Sequence, residues 1–334
     1  MKRMFIFSIT SLILLCAKAG QVYAEAPTTP KILFTSTAWD NNYEIYIMNP
    51  DGSEQVNLTQ HRANDVGAVW SPTGEQILFV SDRGGNRGDV CDRDLYLMDP
   101  DGSNVRRVFK RETHRDSLTW SPDGKQIAYT NVDWGKLIST IYIATLGEQE
   151  EEHLVEGRDP AWSPDGTEIA CAIDGRLTLL NVHTGAQKQL LPKKAMNWQY
   201  YPSWSAAGDK LAFAWNKHQI PPVLDRDLHN EWIKNLTIYI INRDGTDLKQ
   251  LIDEAGPRAD YPVLSPNGKE VLYTQEINGF LQIFKVDVNS GIRTQLTHIG
   301  PRNLGGNWFD PAYALPVSPQ PQLLTTTWGE LKRE

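Results

Sequence analysis

Residues 120–129 read Trp-Ser-Pro-Asp-Gly-Lys-Gln-Ile-Ala-Tyr. A tryptophan closes one short apolar run, a four-residue turn follows, and a second apolar run starts at Ile127. Asp-Gly between two such runs is a hairpin signal, because glycine adopts the positive φ that tight turns need. The same pattern recurs along the chain. The turn returns as Ser71-Pro72-Thr73-Gly74, Ser163-Pro164-Asp165-Gly166, Ser205-Ala206-Ala207-Gly208 and Ser265-Pro266-Asn267-Gly268. Before the turns stand Trp70, Trp120, Trp162, Trp204 and, as a departure, Leu264. The run after the turn recurs six times, as Ile32-Leu33-Phe34, Ile77-Leu78-Phe79, Ile127-Ala128-Tyr129, Ile169-Ala170-Cys171, Leu211-Ala212-Phe213 and Val271-Leu272-Tyr273.

Each repeat continues the same way. A third apolar run such as Glu44–Met48 or Asp94–Met98 leads into a second turn, as in Pro50-Asp51-Gly52, Pro100-Asp101-Gly102 and Arg243-Asp244-Gly245. A short Leu-Thr run, such as Leu58-Thr59 or Leu296-Thr297, ends the unit. Four short strands per unit at a period of about 40–60 residues predict the blades of a β-propeller. No amphipathic helical pattern competes with this reading. The first unit lacks its tryptophan strand, and a surplus one, Asn307-Trp308-Phe309-Asp310-Pro311, follows the last unit. The expected fold is therefore all-β: six four-stranded blades, closed by a C-terminal strand that completes the first blade and removes an exposed sheet edge.

Composition agrees and excludes several classes. The 334 residues are 40% hydrophobic and 22% charged, which rules out wholesale disorder. Asp and Glu number 41 against 33 Lys and Arg, for a net charge of −8. An acidic chain without a basic block is a poor nucleic-acid binder. Three cysteines exclude a disulfide framework or a cysteine-rich zinc module. The 11 Trp, 12 Tyr, 25 Gly and 20 Pro suit many short strands and turns.

The amino terminus reads as an address. Lys2 and Arg3 precede an apolar run, Met4 to Ala17, which is short of the roughly 20 residues of a membrane span. Val22-Tyr23-Ala24 places small residues at the cleavage positions, so cleavage is expected after Ala24. Lipidation at Cys16 is the weaker alternative, since Leu15 is bulky where a small residue is wanted. Removing residues 1–24 discards three basic residues (Lys2, Arg3, Lys18) and no acidic one. The exported chain, periplasmic or secreted, is thus more acidic still. The expected organisation is a signal peptide over 1–24, a short lead over 25–30, the propeller over 31–312, and a Pro-rich linker with a short tail over 313–334. No transmembrane segment is expected in the mature chain, which is read as a monomer. Of its two cysteines, Cys91 and Cys171, neither is expected to bridge.

Trp-Ser-Pro-Asp-Gly-Lys-x-Ile-Ala-Tyr at 120–129, with the strand and Asp-Gly turn that follow, resembles the TolB-type propeller repeat, also described as WD40-like PD40 repeats. The resemblance covers roughly residues 31–312 and implies a six-bladed propeller. It implies little about activity. TolB itself carries an α/β domain before its propeller, and about seven residues separate the expected cleavage site from the first blade here. Prolyl oligopeptidases carry similar repeats beside an α/β-hydrolase domain, but no Gly-x-Ser-x-Gly elbow occurs in this sequence. Oligogalacturonate lyases hold a metal through channel histidines, and those ligands find no residue-by-residue match. A fold shared by so many activities licenses no chemistry by itself.

Strand alternation places all the short, uniform turns at one end of the ring. The connections at the other end vary in length, with insertions over 82–93 and 216–236. Binding residues favour variable loops on a rigid scaffold, so this decorated end is the candidate functional face. The motif tryptophans (70, 120, 162, 204, 308) read as core. Trp39, Trp134, Trp198, Trp215 and Trp232 map to the decorated end, with Tyr200 and Tyr201. They form a candidate aromatic platform for a sugar ring, a peptide or a partner protein, or else they pin their own loops. Asp65, Asp116, Asp159 and Asp260 precede or begin the inner strands and are expected to ring the channel mouth, as a site for a cation or basic peptide or as loop caps. His61, His114 and His298, with His218 and His229, fall at the same end. No pair of them has a short metal-ligand spacing, so no cofactor is expected.

The sequence therefore points to an exported, non-catalytic binding or scaffold propeller that engages a protein or polysaccharide through its decorated face. The alternative is a metal-assisted carbohydrate lyase or hydrolase at the channel mouth, with a divalent metal held by His61, His114 and His298.

Overall fold

The computed structural model describes residues 24–37, 42–84, 93–111, 113–195, 198–218, 233–253 and 256–316. Six four-stranded antiparallel sheets account for it. The second blade is β4 (Asp65–Trp70), β5 (Ile77–Ser81), β6 (Asp94–Met98) and β7 (Arg106–Arg107). The third is β8 (Arg115–Trp120), β9 (Gln126–Asp133), β10 (Ile138–Thr145) and β11 (Glu151–Glu156). The fourth is β12 (Arg158–Trp162), β13 (Glu168–Ile173), β14 (Arg176–Asn181) and β15 (Gln187–Gln189). The fifth is β16 (Gln199–Trp204), β17 (Lys210–Trp215), β18 (Thr237–Asn242) and β19 (Lys249–Gln250). The sixth is β20 (Ala259–Leu264), β21 (Glu270–Ile277), β22 (Phe280–Asp287) and β23 (Arg293–Gln295).

The first blade closes the ring. Its order is β24 (Asn303–Phe309), β1 (Lys31–Ser36), β2 (Glu44–Met48) and β3 (Val56–Asn57). The last strand pairs antiparallel with the first, Ile32 opposite Trp308 and Lys31 opposite Phe309. The surplus tryptophan strand thus completes the first blade, as its spacing predicts. Phe309 also packs against Trp70 of the second blade, ring centroids 5.2 Å apart.

The apolar second strands are buried almost throughout: Ile32, Leu33, Ile77, Leu78, Phe79, Ile127, Ile169, Leu211, Phe213 and Val271 expose nothing. Their side chains interleave between neighbouring blades, so the core is a ring of six inter-blade clusters rather than one centre. Burying each such side chain contributes about 1.5–3 kcal/mol. Trp70, Trp120, Trp162 and Trp204 belong to four of these clusters, in keeping with the core reading. A buried ion network joins the second and third blades. Arg115 is wholly enclosed, pairs with Asp94 at 2.8 Å and Glu151 at 2.6 Å, and lies over the Phe109 ring.

The motif turns gather at one end, here called lower. In five blades the serine hydroxyl accepts the backbone N–H five residues on, at 2.9–3.1 Å. The turn glycine has positive φ, and at Gly74 a Cβ would fall 2.2 Å from the Phe309 ring. Residues 310–316 stay on this end: the Leu315 N–H donates to the Pro72 carbonyl at 2.9 Å, and Ala314 packs against the second blade. The linker expected from residue 313 therefore begins as packed chain, and its remainder, 317–334 with Trp328, lies outside the described residues. So do residues 1–23 and Cys91.

Candidate functional site

The six inner strands β4, β8, β12, β16, β20 and β24 all break register with their neighbour near the upper end. At each break one residue takes a left-handed conformation: Gly67, Ser117, Asp159, Tyr201, Tyr261 and Gly305, with φ of 45–63°. A bulge of this kind re-aims a side chain. The non-glycine members carry backbone strain of order 1–3 kcal/mol each. Three of the bulge N–H groups donate to a threonine of the preceding blade, from Gly67 to Thr35, Asp159 to Thr130 and Gly305 to Thr274. All six bulge residues line one cavity of about 370 Å³ at the upper channel mouth. A second, of about 420 Å³, opens below among the motif tryptophans and turn prolines. Val69, Leu118, Pro160, Pro202, Val263 and Gly306 border both, as a waist between them.

The upper wall is lopsided. At Gly67 and Gly305, on adjacent strands, a Cβ would meet nothing within 4 Å, so the channel there is open. Tyr201 stands across the ring from Gly67, and Tyr261, on the strand next to that of Gly305, lies against it with ring centroids 4.2 Å apart. Burial pushes the Tyr201 phenol up and the Tyr261 phenol up to about 12, so both are neutral hydroxyls at physiological pH.

The four aspartates do not share one position. Asp159 is a bulge residue; Asp116 and Asp260 precede the bulge by one, and Asp65 by two. Only Asp116 and Asp159 line the cavity. Asp65 is fully buried and gripped by Arg83, at 2.6 and 3.2 Å. Arg258 holds Asp260 in the same way, from its Nε at 2.6 Å. Burial pushes the Asp260 carboxyl up to about 6, against the pull of that guanidinium. Arg93 reaches Asp116 at 3.4 Å. Asp159 is buried, accepts the Ser117 hydroxyl at 3.1 Å and faces the Tyr201 N–H. Its desolvation outweighs the nearby Arg158 charge and pushes its carboxyl up to about 6.

The aromatic candidates divide. Trp198, Tyr200, Tyr201 and Tyr261 form a chain of contacting rings from rim to cavity, at 5.7, 6.2 and 4.2 Å. Trp134 stands half-exposed on the β9–β10 hairpin, edge-on to His114 at 5.4 Å. Trp215 is buried against Phe213 and Tyr239 within the blade core. Trp39 and Trp232 lie outside the described residues.

His114 is buried under Trp134, and the His61 ring accepts the Ala63 N–H at 3.1 Å. His298 and His218 are exposed, and His229 lies outside the described residues. Among the described residues no group of three or more His, Cys, Asp or Glu side chains is placed to hold a metal ion. Cys171 is buried and free, its thiol pushed up to about 12 by desolvation. No helix of the described residues is long and apolar enough to cross a membrane.

Tyr261, Tyr43, Arg93 and Ser117 line the cavity without having been singled out from the sequence. A signal for two of them was present. Counting three residues back from Trp70, Trp120, Trp162, Trp204, Leu264 and Trp308 lands on all six bulge positions, Ser117 and Tyr261 included.

The architecture is that of a six-bladed TolB-type β-propeller. The sequence model described as PD40, TolB beta propeller domain, matches residues 86–237. Among solved structures, the chain is similar to TolB from Acinetobacter baumannii, with 19% identity and a TM-score of 0.68. That match covers 83% of this chain and 66% of the other, so the chain spans just under two thirds of that protein's length. A putative TolB from Agrobacterium tumefaciens matches at 17% identity and TM-score 0.60, over 83% of this chain and 90% of the other. A chain of a nidogen/laminin complex matches at 10% identity and TM-score 0.62, over 84% and 99%. At these identities the likeness is one of fold.

Proposed function

We propose that this is an exported, non-catalytic binding propeller that docks a partner protein on its upper face. One observation carries the reading: all six inner strands bulge at one upper level, and the bulge residues, which vary from blade to blade, line one aromatic and charged cavity. A purely structural ring has no use for four strained non-glycine residues at one level. Strain held by a scaffold and collected at a cavity is the mark of a functional site. The ring chain from Trp198 to Tyr261 supplies rigid, amphipathic contact area of the kind that dominates protein interfaces. The amino-terminal address supports export, with the mature chain beginning at Glu25 and remaining in the periplasm or medium as a monomer.

A photo-crosslinking residue at Tyr200, compared with one at Asp123 on the lower end, tests the docking face in the producing cells. A specific adduct from position 200, absent from 123 and lost in Trp198→Ala, is the expected result. Adducts of equal yield from both ends would overturn it, and an adduct to polysaccharide in place of protein would reassign the partner. Amino-terminal sequencing of the extracellular or periplasmic chain tests the address: Glu25 is expected first, and an intact Met1 would refute export.

A further inference from the structure

Three of the four aspartates near the upper mouth carry an arginine: Asp65 with Arg83, Asp116 with Arg93, Asp260 with Arg258. Asp159 forms no ion pair with any described residue, although it is 8% exposed and lies on the cavity wall. Arg158, its neighbour in sequence, turns outward over the Tyr200 ring instead, 5.9 Å from its centroid. A buried carboxylate without a counter-ion is costly and is ordinarily paired. Beside it Tyr201 and Tyr261, tilted by 33° to one another, form an aromatic wall, and aromatic rings attract a cation. Opposite, Gly67 and Gly305 leave the space such a group would fill.

We propose that the upper cavity receives a single cationic side chain, the guanidinium or ammonium of an Arg or Lys on the docked protein, set between Asp159 and the Tyr201/Tyr261 pair. The proposal rests on the docking face proposed above and names what enters it. The chemistry selects against other guests. A neutral hydroxyl leaves the carboxylate without a counter-ion, and a uronate is repelled by Asp159, whose charge no described arginine pairs as Arg93 pairs Asp116. The cavity, about 370 Å³, has room for a long side chain and none for a folded element.

The charged and titratable groups around Asp159 are Arg158 on its own strand, Asp116 on β8 with the Arg93 that pairs it, Cys171 on β13, Tyr200 and Tyr201 on β16, and Tyr261 on β20. Protonating Asp159 removes the attraction, so affinity should fall as pH drops through about 6.

The probe is acetyl-Gly-Arg-Gly-amide, titrated calorimetrically into the full exported chain at pH 7.5, beside its citrulline counterpart, which has the same shape and no charge. The arginine peptide is expected to bind at least tenfold more tightly than the citrulline peptide. Asp159→Asn, which keeps the hydrogen-bond acceptor, is expected to abolish that preference. Gly305→Asn tolerates the left-handed backbone and fills the open side, and is expected to weaken the arginine peptide at least tenfold with Asp159 intact. Equal binding of both peptides, or an unchanged preference in Asp159→Asn, would overturn the proposal. If the arginine peptide fails while the Tyr200 crosslink persists, the cationic guest is wrong and the docking face stands. If the peptide binds as expected while the crosslink shows no face preference, the cavity is a cation site and the docking face is wrong.

Discussion

The two ends of the channel are built from the same six inner strands, and the repeat governs them unequally. At the lower end, five serine turns repeat one hydrogen-bond pattern, and the tryptophans above them fill the same slots between blades. At the upper end the backbone repeats just as closely, with a bulge at one level in all six strands, but the side chains there are Gly, Ser, Asp, Tyr, Tyr and Gly. Uniform residues at the lower end hold blade to blade. Unlike residues on a uniform backbone make an asymmetric cavity. The difference teaches where sequence divergence is structural noise and where it is the site: variety counts when the scaffold beneath it is constant.

Substitutions can break or sharpen that contrast. The largest effect is expected from Arg115, which shows that the upper half also has a rigid part. Arg115→Met removes the buried cation shared by Asp94 and Glu151, leaving Asp94 to Arg107 and Glu151 to the Tyr129 hydroxyl, and should cost about 3–5 kcal/mol in denaturant unfolding. A loss under about 1 kcal/mol would show that the network is solvated. Next comes Gly74→Ala at the lower end. Its Cβ would meet Phe309 at 2.2 Å and the residue would keep φ near +75°, so a loss of about 2–4 kcal/mol is expected with no change in arginine-peptide binding. A binding loss without destabilisation would erase the contrast.

Asp159→Asn should do the reverse. The native carboxyl titrates near 6 and the unfolded one near 3.9, so the native state keeps its proton between about pH 4 and 6 while the unfolded chain releases it. Wild-type stability contributed by this group therefore falls as pH rises through that window and levels off above it. The variant should match wild type at pH 4 and exceed it by about 1–3 kcal/mol at pH 7.5. A variant less stable than wild type at pH 7.5 would show that the carboxylate is structural. The smallest effect is expected from Trp134→Ala at the exposed rim, within about 1 kcal/mol of wild type by Tm. A larger loss would make Trp134 a pin for its own hairpin and His114.

The fold was open to reading because its signals are local and repeated. Trp-Ser-Pro-Asp-Gly sets strand, turn and strand within ten residues, and the surplus strand at Trp308 announces closure. The cavity was only half open to reading. Asp65, Asp116, Asp159 and Asp260 look like one ring in sequence, yet they stand five, four, three and four residues before their motif positions. Asp159 alone occupies the bulge, which aims it at the channel, whereas Asp65, Asp116 and Asp260 stand one or two residues before the bulge and meet arginines. Trp215 sits in β17 beside the apolar run, and its alternation aims it into the core. Tyr201 is reached from the sequence as an aromatic of the decorated end, but tyrosine at a positive φ carries no propensity signal, so Tyr261 is found only by its spacing from Leu264.

The pairing of β24 with β1 also sets a direction. Because those strands are antiparallel, the chain enters the ring at Lys31 and leaves it at Phe309 side by side on the lower end. A membrane anchor, a fusion domain or a bead attached at either terminus would pull from that side alone. The tyrosine-lined mouth would then face away from the point of attachment, and a partner could reach it without passing the tether.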